Sequence, residues 1–323
     1  MSNQPTVELK NGRLLGKYED GGRIAVFRGI PYAAPPLGKR RWQPPAPAVD
    51  WQGVRPAIRF SDAPMQRGQE LQPMLDAIFD GLGWVWPIAA ISKLGSRFLP
   101  SPKQSEDCLY LNVRSPQLDP AARLPVMVWI HGGNHQDGSG AGRFYQSVAL
   151  PARGCVLVTI NYRLGLMGYL AHPELSAASP ARISGNYGTL DQIAALRWVQ
   201  ENIASFGGDP DNVTIFGQSA GGESVLHMMI SSMASGLFSK EIEQSPANGG
   251  QWQHLKRPFR DHPAAETVGE SFAKAVGISG TNQLEQLRQL SAKELNAFVR
   301  QSELFGNFYP VIDGHVLPQS PAA

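Results

Sequence analysis

Val213-Thr214-Ile215-Phe216-Gly217-Gln218-Ser219-Ala220-Gly221-Gly222-Glu223-Ser224-Val225-Leu226-His227-Met228-Met229 is the stretch that decides how this chain folds. Its first four residues are apolar or β-branched and read as a strand. From Ala220 onward the segment reads as a helix. Between the two lies Gly217-Gln218-Ser219-Ala220-Gly221, the one Gly-x-Ser-x-Gly pattern in the chain. The pentapeptide alone is common by chance in a protein with 34 glycines among 323 residues. A strand running into it and a helix leaving it make it specific, because in that setting the pattern builds a sharp turn presenting a nucleophilic serine. Small residues two before and two after Ser219 let strand and helix approach closely. The helix N-terminus then aims free N–H groups at charge developing beside the serine.

Working outward, Leu109–Val113, Val126–Ile130 and Val156–Ile160 are further short strand-like runs. Three of the four runs are apolar on both faces, as strands of a sheet covered on both sides must be. Leu190 to Ile203 has helical spacing and lies between the last two strands, so the expectation is an α/β sheet with crossover connections. Asn11-Gly12, between Val7–Leu9 and Leu14–Leu15, signals a hairpin. Residues 31–66 are rich in proline and tryptophan and read as an ordered loop over the core. Residues 70–99 carry Leu71, Leu75, Ile78 and Phe79 at helical spacing, which suits a helix packed on the core or a pocket wall or lid. With no internal repeat and no break in composition, residues 1–323 read as one domain.

Trp129-Ile130-His131-Gly132-Gly133-Asn134 leaves a buried strand upstream of the serine turn. Glycines there allow the backbone to turn its N–H groups inward without a Cβ in the way. The expected oxyanion donors are the amides of Gly133, Asn134 and Ala220, with Ser219 as nucleophile.

These motifs, with Glu106-Asp107-Cys108-Leu109-Tyr110-Leu111-Asn112-Val113, Asn161-Tyr162-Arg163-Leu164-Gly165, Phe206-Gly207-Gly208-Asp209-Pro210 and Pro310-Val311-Ile312-Asp313-Gly314, occur in one order. Together they resemble the type B carboxylesterases, the family of cholinesterases and para-nitrobenzyl esterases. The resemblance implies an α/β-hydrolase fold: a mostly parallel central sheet with helices on both faces, here lacking its C-terminal strands. It implies hydrolysis of a small-molecule carboxylic ester through an acyl-enzyme, with no cofactor and no metal. The family often pairs the cysteine of its Glu-Asp-Cys-Leu motif with an earlier one. Here Met65 stands at the matching position, so Cys108 is expected as a free buried thiol, suiting a reducing compartment. Asn134-His135 replaces a small residue followed by an aromatic, and Gln244-Ser245-Pro246 replaces the usual Gln-Ser-Gly.

A serine nucleophile also needs an imidazole base and an orienting acid. In the family these follow the Pro-Val-x-Asp-Gly segment, here residues 310–314, so both are expected beyond Ala323 and neither within the chain. Among the internal histidines, His227 lies eight residues along the helix from Ser219, about 12 Å away at 1.5 Å per residue. His131 is expected to brace the oxyanion loop, His135 shares that loop with the donors, and Asp313 and His315 fall on one turn.

Composition closes off other classes. Lys+Arg 29 against Asp+Glu 27 leaves no basic footprint for nucleic acid. Two cysteines build no disulfide framework, and no apolar stretch is long enough to span a bilayer. The N-terminus lacks secretory features, which points to the cytoplasm. Oligomeric state is left open. The rival readings are an inactive truncated pseudoenzyme and, behind it, a non-catalytic cholinesterase-like binding protein.

Overall fold

The computed structural model describes residues 4–66, 103–246, 253–302 and 308–321, so the segment 70–99 lies outside the described residues. The expected N-terminal hairpin forms, with its turn at Lys10-Asn11, one residue earlier than the Asn11-Gly12 signal. Strands β1 (Thr6–Leu9) and β2 (Gly12–Leu15) pair antiparallel with Leu9 opposite Gly12. The chain continues through β3 (Lys17–Glu19) and β4 (Ile24–Pro31), then through β5 (Val54–Pro56), which adds to β2. The short pair β6 (Ala63–Pro64) and β7 (Gln104–Ser105) follows. Then come β8 (Tyr110–Ser115), β9 (Leu124–Ile130) and β10 (Val156–Ile160). Helices α1 (Gly165–Tyr169), α2 (Pro173–Ala178) and α3 (Tyr187–Asn202) lead to β11 (Gly208–Gln218), α4 (Ala220–Ile230) and β12 (Lys240–Gln244). The remainder holds β13 (Gln253–His254), α5 (Ala265–Ala275), α6 (Gln283–Gln289), α7 (Ala292–Gln301) and β14 (Val311–Ile312).

Seven strands form the main sheet in the order β12-β11-β9-β10-β8-β4-β3. The expected mostly parallel sheet is instead evenly mixed among the described residues. Pairs β12–β11, β11–β9 and β9–β10 are parallel, while β10–β8, β8–β4 and β4–β3 are antiparallel. The physical reason at one end is plain: only the turn Asp20–Arg23 separates β3 from β4, too short for a crossover. The parallel half behaves as the apolar runs require. All five residues of β10 are buried. Val126, Val128 and Ile130 join Val213 and Ile215 in one cluster with Ile193, Leu196 and Val199 of α3 and Val225 and Met228 of α4. On the other face Trp129 packs against Phe216 and Tyr145 at 4.9 and 4.8 Å between ring centroids. At the edge, all five residues of β12 are exposed, Ile242 among them.

A second buried cluster seats α5, α6 and α7 against α1, with Trp42 fully enclosed between them. Trp42 donates its indole N–H to the Leu166 carbonyl at 3.0 Å. Helix α7 opens on a capping box, Ser291 and Glu294 each accepting the other's backbone N–H. Cys108 is a buried free thiol lining one small cavity with Met65, as the expected loss of a disulfide partner requires, and burial pushes the thiol well up.

One ion pair ties the sheet to its crossover helix. Arg163, just past β10, gives Nε and Nη2 to the two carboxylate oxygens of Asp191 on α3, each at 2.7 Å. Both side chains are buried, and the Arg163 backbone N–H donates to the same carboxylate at 3.1 Å. Removing one partner strands a buried charge, which is the costly case. Asp191→Ala is therefore expected to lower stability by about 3–5 kcal/mol. A urea titration followed by tryptophan fluorescence measures it.

Candidate active site

Strand order places the site. From β9 the chain moves to β10 on one side, then returns to lay β11 on the other side of β9. Loops leaving the carboxyl ends of β9 and β11 therefore diverge over one crevice, the position where open α/β sheets bind ligands. One loop carries His131–Asn134, and the other is the turn at Ser219.

Ser219 stands at φ 57°, ψ −127°, a backbone conformation that a residue with a Cβ adopts only under constraint. The constraint is visible. Its N–H donates to the Gln244 carbonyl of β12 at 2.9 Å, and its carbonyl accepts from Glu223 N at 2.9 Å. Behind it, Gly217 and Gly221 both lie against the Ile130 carbonyl at the end of β9, and a Cβ on either would collide with it. The strand–turn–helix order read from the sequence is present: the helix begins at Ala220 as read, and the strand runs two residues past Phe216, to Gln218.

Facing the serine, Gly132 is so close that a Cβ there would stand 3.2 Å from the Ser219 Cβ. Gly133, Asn134 and His135 then have φ of 109°, 56° and 54°. Asparagine is among the few non-glycine residues that accept such a conformation readily, which explains how the loop survives its replacement of a small residue. The loop is tied from several sides. His135 O accepts from Gly165 N at 2.7 Å, Gln136 Nε2 donates to Phe308 O at 2.7 Å, and Asn134 Nδ2 donates to the Tyr309 hydroxyl at 2.9 Å.

The histidines fall into distinct roles. His131 is wholly buried, stacks on Tyr162 at 4.4 Å, and its carbonyl accepts from the Tyr162 hydroxyl at 2.7 Å. This is the bracing expected of it, and burial pushes its imidazole down to about 4. His227 is also fully buried, with burial pushing it down to about 3. His135 presents Nε2 to Glu223 at 3.3 Å and Nδ1 to the Tyr169 hydroxyl at 3.4 Å, and stacks on His227 at 5.9 Å. Asp313 spends its carboxylate on Asn186 Nδ2 and on the N–H groups of His315 and Leu317, so it closes a turn and leaves His315 exposed. Among the described residues, no imidazole hydrogen-bonds to the Ser219 hydroxyl.

Glu223 is the residue that sequence reasoning missed. It sits in the first turn of α4. Burial raises its carboxyl, but the hydrogen bond and electrostatic attraction of His135, with a smaller contribution from the His227 ring, hold it below the usual carboxylate range. The available signal was a carboxylate four residues after the serine, together with a histidine where the family has an aromatic.

A strained serine turn at the carboxyl end of one parallel strand, faced by a glycine loop from the next, is the arrangement of an α/β-hydrolase. The chain belongs to the carboxylesterase family, whose profile matches residues 3–323. It is 39% identical to fumonisin B1 esterase from Sphingopyxis macrogoltabida over 92% of this chain and 49% of that protein. It is 38% identical to para-nitrobenzyl esterase from Bacillus subtilis over 98% of this chain and 58% of that protein. A crystal structure of a carboxylesterase from Geobacillus stearothermophilus superimposes with a TM-score of 0.78 at 37% identity, over 98% of this chain and 58% of that one. The chain thus spans about half the length of the curated relatives it matches.

Two outcomes follow from the site. Ser219→Gly should relieve the strained turn, gaining about 1–3 kcal/mol less the roughly 1 kcal/mol entropic cost of glycine, a net rise near 1 kcal/mol in a urea titration. His131 is held neutral when folded but protonates near pH 6.5 when unfolded, so the unfolded chain binds more protons between those values and stability falls with pH. The loss should reach about 3 kcal/mol between pH 6.5 and 4, and should shrink in His131→Gln.

Proposed function

We propose that this chain carries the nucleophile and oxyanion half of a serine carboxylic ester hydrolase. Ser219 attacks the ester carbonyl, and the amides of Gly133, Asn134 and Ala220 hold the oxyanion. An acyl-enzyme forms with release of the alcohol, and water then frees the acid. The observation that carries this reading is the strained Ser219 backbone, φ 57° and ψ −127°, directly opposite the Gly132-Gly133 turn. Strain of this kind persists only where surrounding structure holds it. The substrate is a small-molecule carboxylic ester.

The base and its acid are not assigned among the described residues, where no imidazole hydrogen-bonds to the Ser219 hydroxyl. Free, buried Cys108 and Cys155 support a cytoplasmic setting. Among the described residues, no helix is long and apolar enough to cross a membrane.

The test is p-nitrophenyl butyrate hydrolysis by the protein as its source cell makes it, beside Ser219→Ala. Turnover should fall by roughly 10^4-fold or more in the variant. A stable, monodisperse protein with no turnover in either form would overturn the proposal in favour of a pseudoenzyme or a binding member of the family.

A further inference from the structure

Away from the serine crevice, three separated segments close around an open groove of about 440 Å³. They are Ala181–Ile183, His254–Arg257 after β13, and Ile312–Pro318 after β14. This volume falls in the range of small-molecule sites. Three cations line it: Arg182, Lys256 and Arg257. Among the described residues, none of the three has a carboxylate within ion-pair distance. The one acidic residue in the wall, Asp313, already accepts three hydrogen bonds, from Asn186 Nδ2 at 2.9 Å, His315 N at 2.8 Å and Leu317 N at 3.0 Å. Among the described residues the groove wall therefore carries three cations against this one carboxylate.

Two further details agree. Arg182 sits at φ 59°, in the left-handed region of the backbone. Its Nη1 is anchored on the Ala177 carbonyl at 3.0 Å, which fixes the guanidinium while leaving its other donors open. His254 accepts from Arg257 Nε through Nδ1 at 3.4 Å, so its proton lies on Nε2 and adds a neutral donor to the wall. Burial and then the Arg257 charge hold this imidazole below its ordinary value, in keeping with a positive local field.

We propose that this groove binds a small organic or inorganic oxyanion, a carboxylate or phosphate group, seated on Arg182, Lys256 and Arg257. Guanidinium groups match such oxyanions through paired N–H donors, and the lysine adds a point charge. The site is separate from the ester chemistry and does not depend on Ser219.

The experiment is isothermal titration of the protein with citrate and, separately, with inorganic phosphate, at low and at 0.5 M sodium chloride. The double variant Lys256→Glu/Arg257→Glu, Arg182→Ala and Ser219→Ala are titrated alongside, each checked by thermal melting. Saturable binding is expected, weakened at least tenfold by the double variant and by high salt, weakened by Arg182→Ala, and unchanged in Ser219→Ala. Tighter citrate binding would assign the site to carboxylates, and tighter phosphate binding to phosphate groups. Absence of saturable binding by either anion, or equal affinity in the folded double variant, would overturn the proposal. If the double variant melts early, Arg182→Ala decides between these outcomes, because its side chain is exposed and its loss leaves the core intact.

Discussion

The carbonyl of Ile130 is the point around which this protein is organised. It ends β9, begins the glycine loop, and lies in contact with Gly217 at the end of β11 and Gly221 in the first turn of α4. Three backbones therefore meet with no side chain between them. A methyl group at Gly217 or Gly221 would drive β11 or α4 off β9, and with it would go the spacing between Ser219 and the Gly132-Gly133 turn. The strained serine, its Gln244 anchor and the left-handed run of Gly133, Asn134 and His135 all follow from that contact.

Around this junction the polar groups are enclosed and mutually committed. His131 and His227 are kept neutral by burial, while His135 is held between Glu223 and Tyr169. Glu223 links the loop to helix α4 through His135, so the two parts of the crevice are joined by a polar contact as well as by backbone packing. Since α4 turns its positive end toward the serine, the Glu223 carboxylate also lies where the helix dipole favours negative charge.

Much of this was legible in the residues. The runs at 126–130, 156–160 and 213–216 were legible as strands because they are built of apolar and β-branched residues, and the serine turn was recognisable from its flanks. The hairpin signalled by Asn11-Gly12 was equally clear, though its turn lies one residue earlier. The antiparallel half of the sheet was not, since direction depends on which neighbour a strand finds, and β8 finds β4 and β10 from a distance in sequence. The Glu223–His135 contact joins residues 88 positions apart, and local spacing carries no trace of it. The cationic groove hides for the same reason: Arg182, Arg257 and Asp313 belong to three segments that only the finished fold brings together.

The switch of chain direction at β9 also dictates when the crevice can exist. Strand β9 is flanked by strands made later, β10 on one side and β11 on the other, and every parallel pairing in this region closes a long loop. Such closures are slow because chain entropy is lost before contacts repay it. The face of the glycine loop that meets the serine is complete only once β11 lies beside β9. Completing the sheet and creating the crevice are thus one event. The strained serine is defined only where β9, β11 and α4 meet.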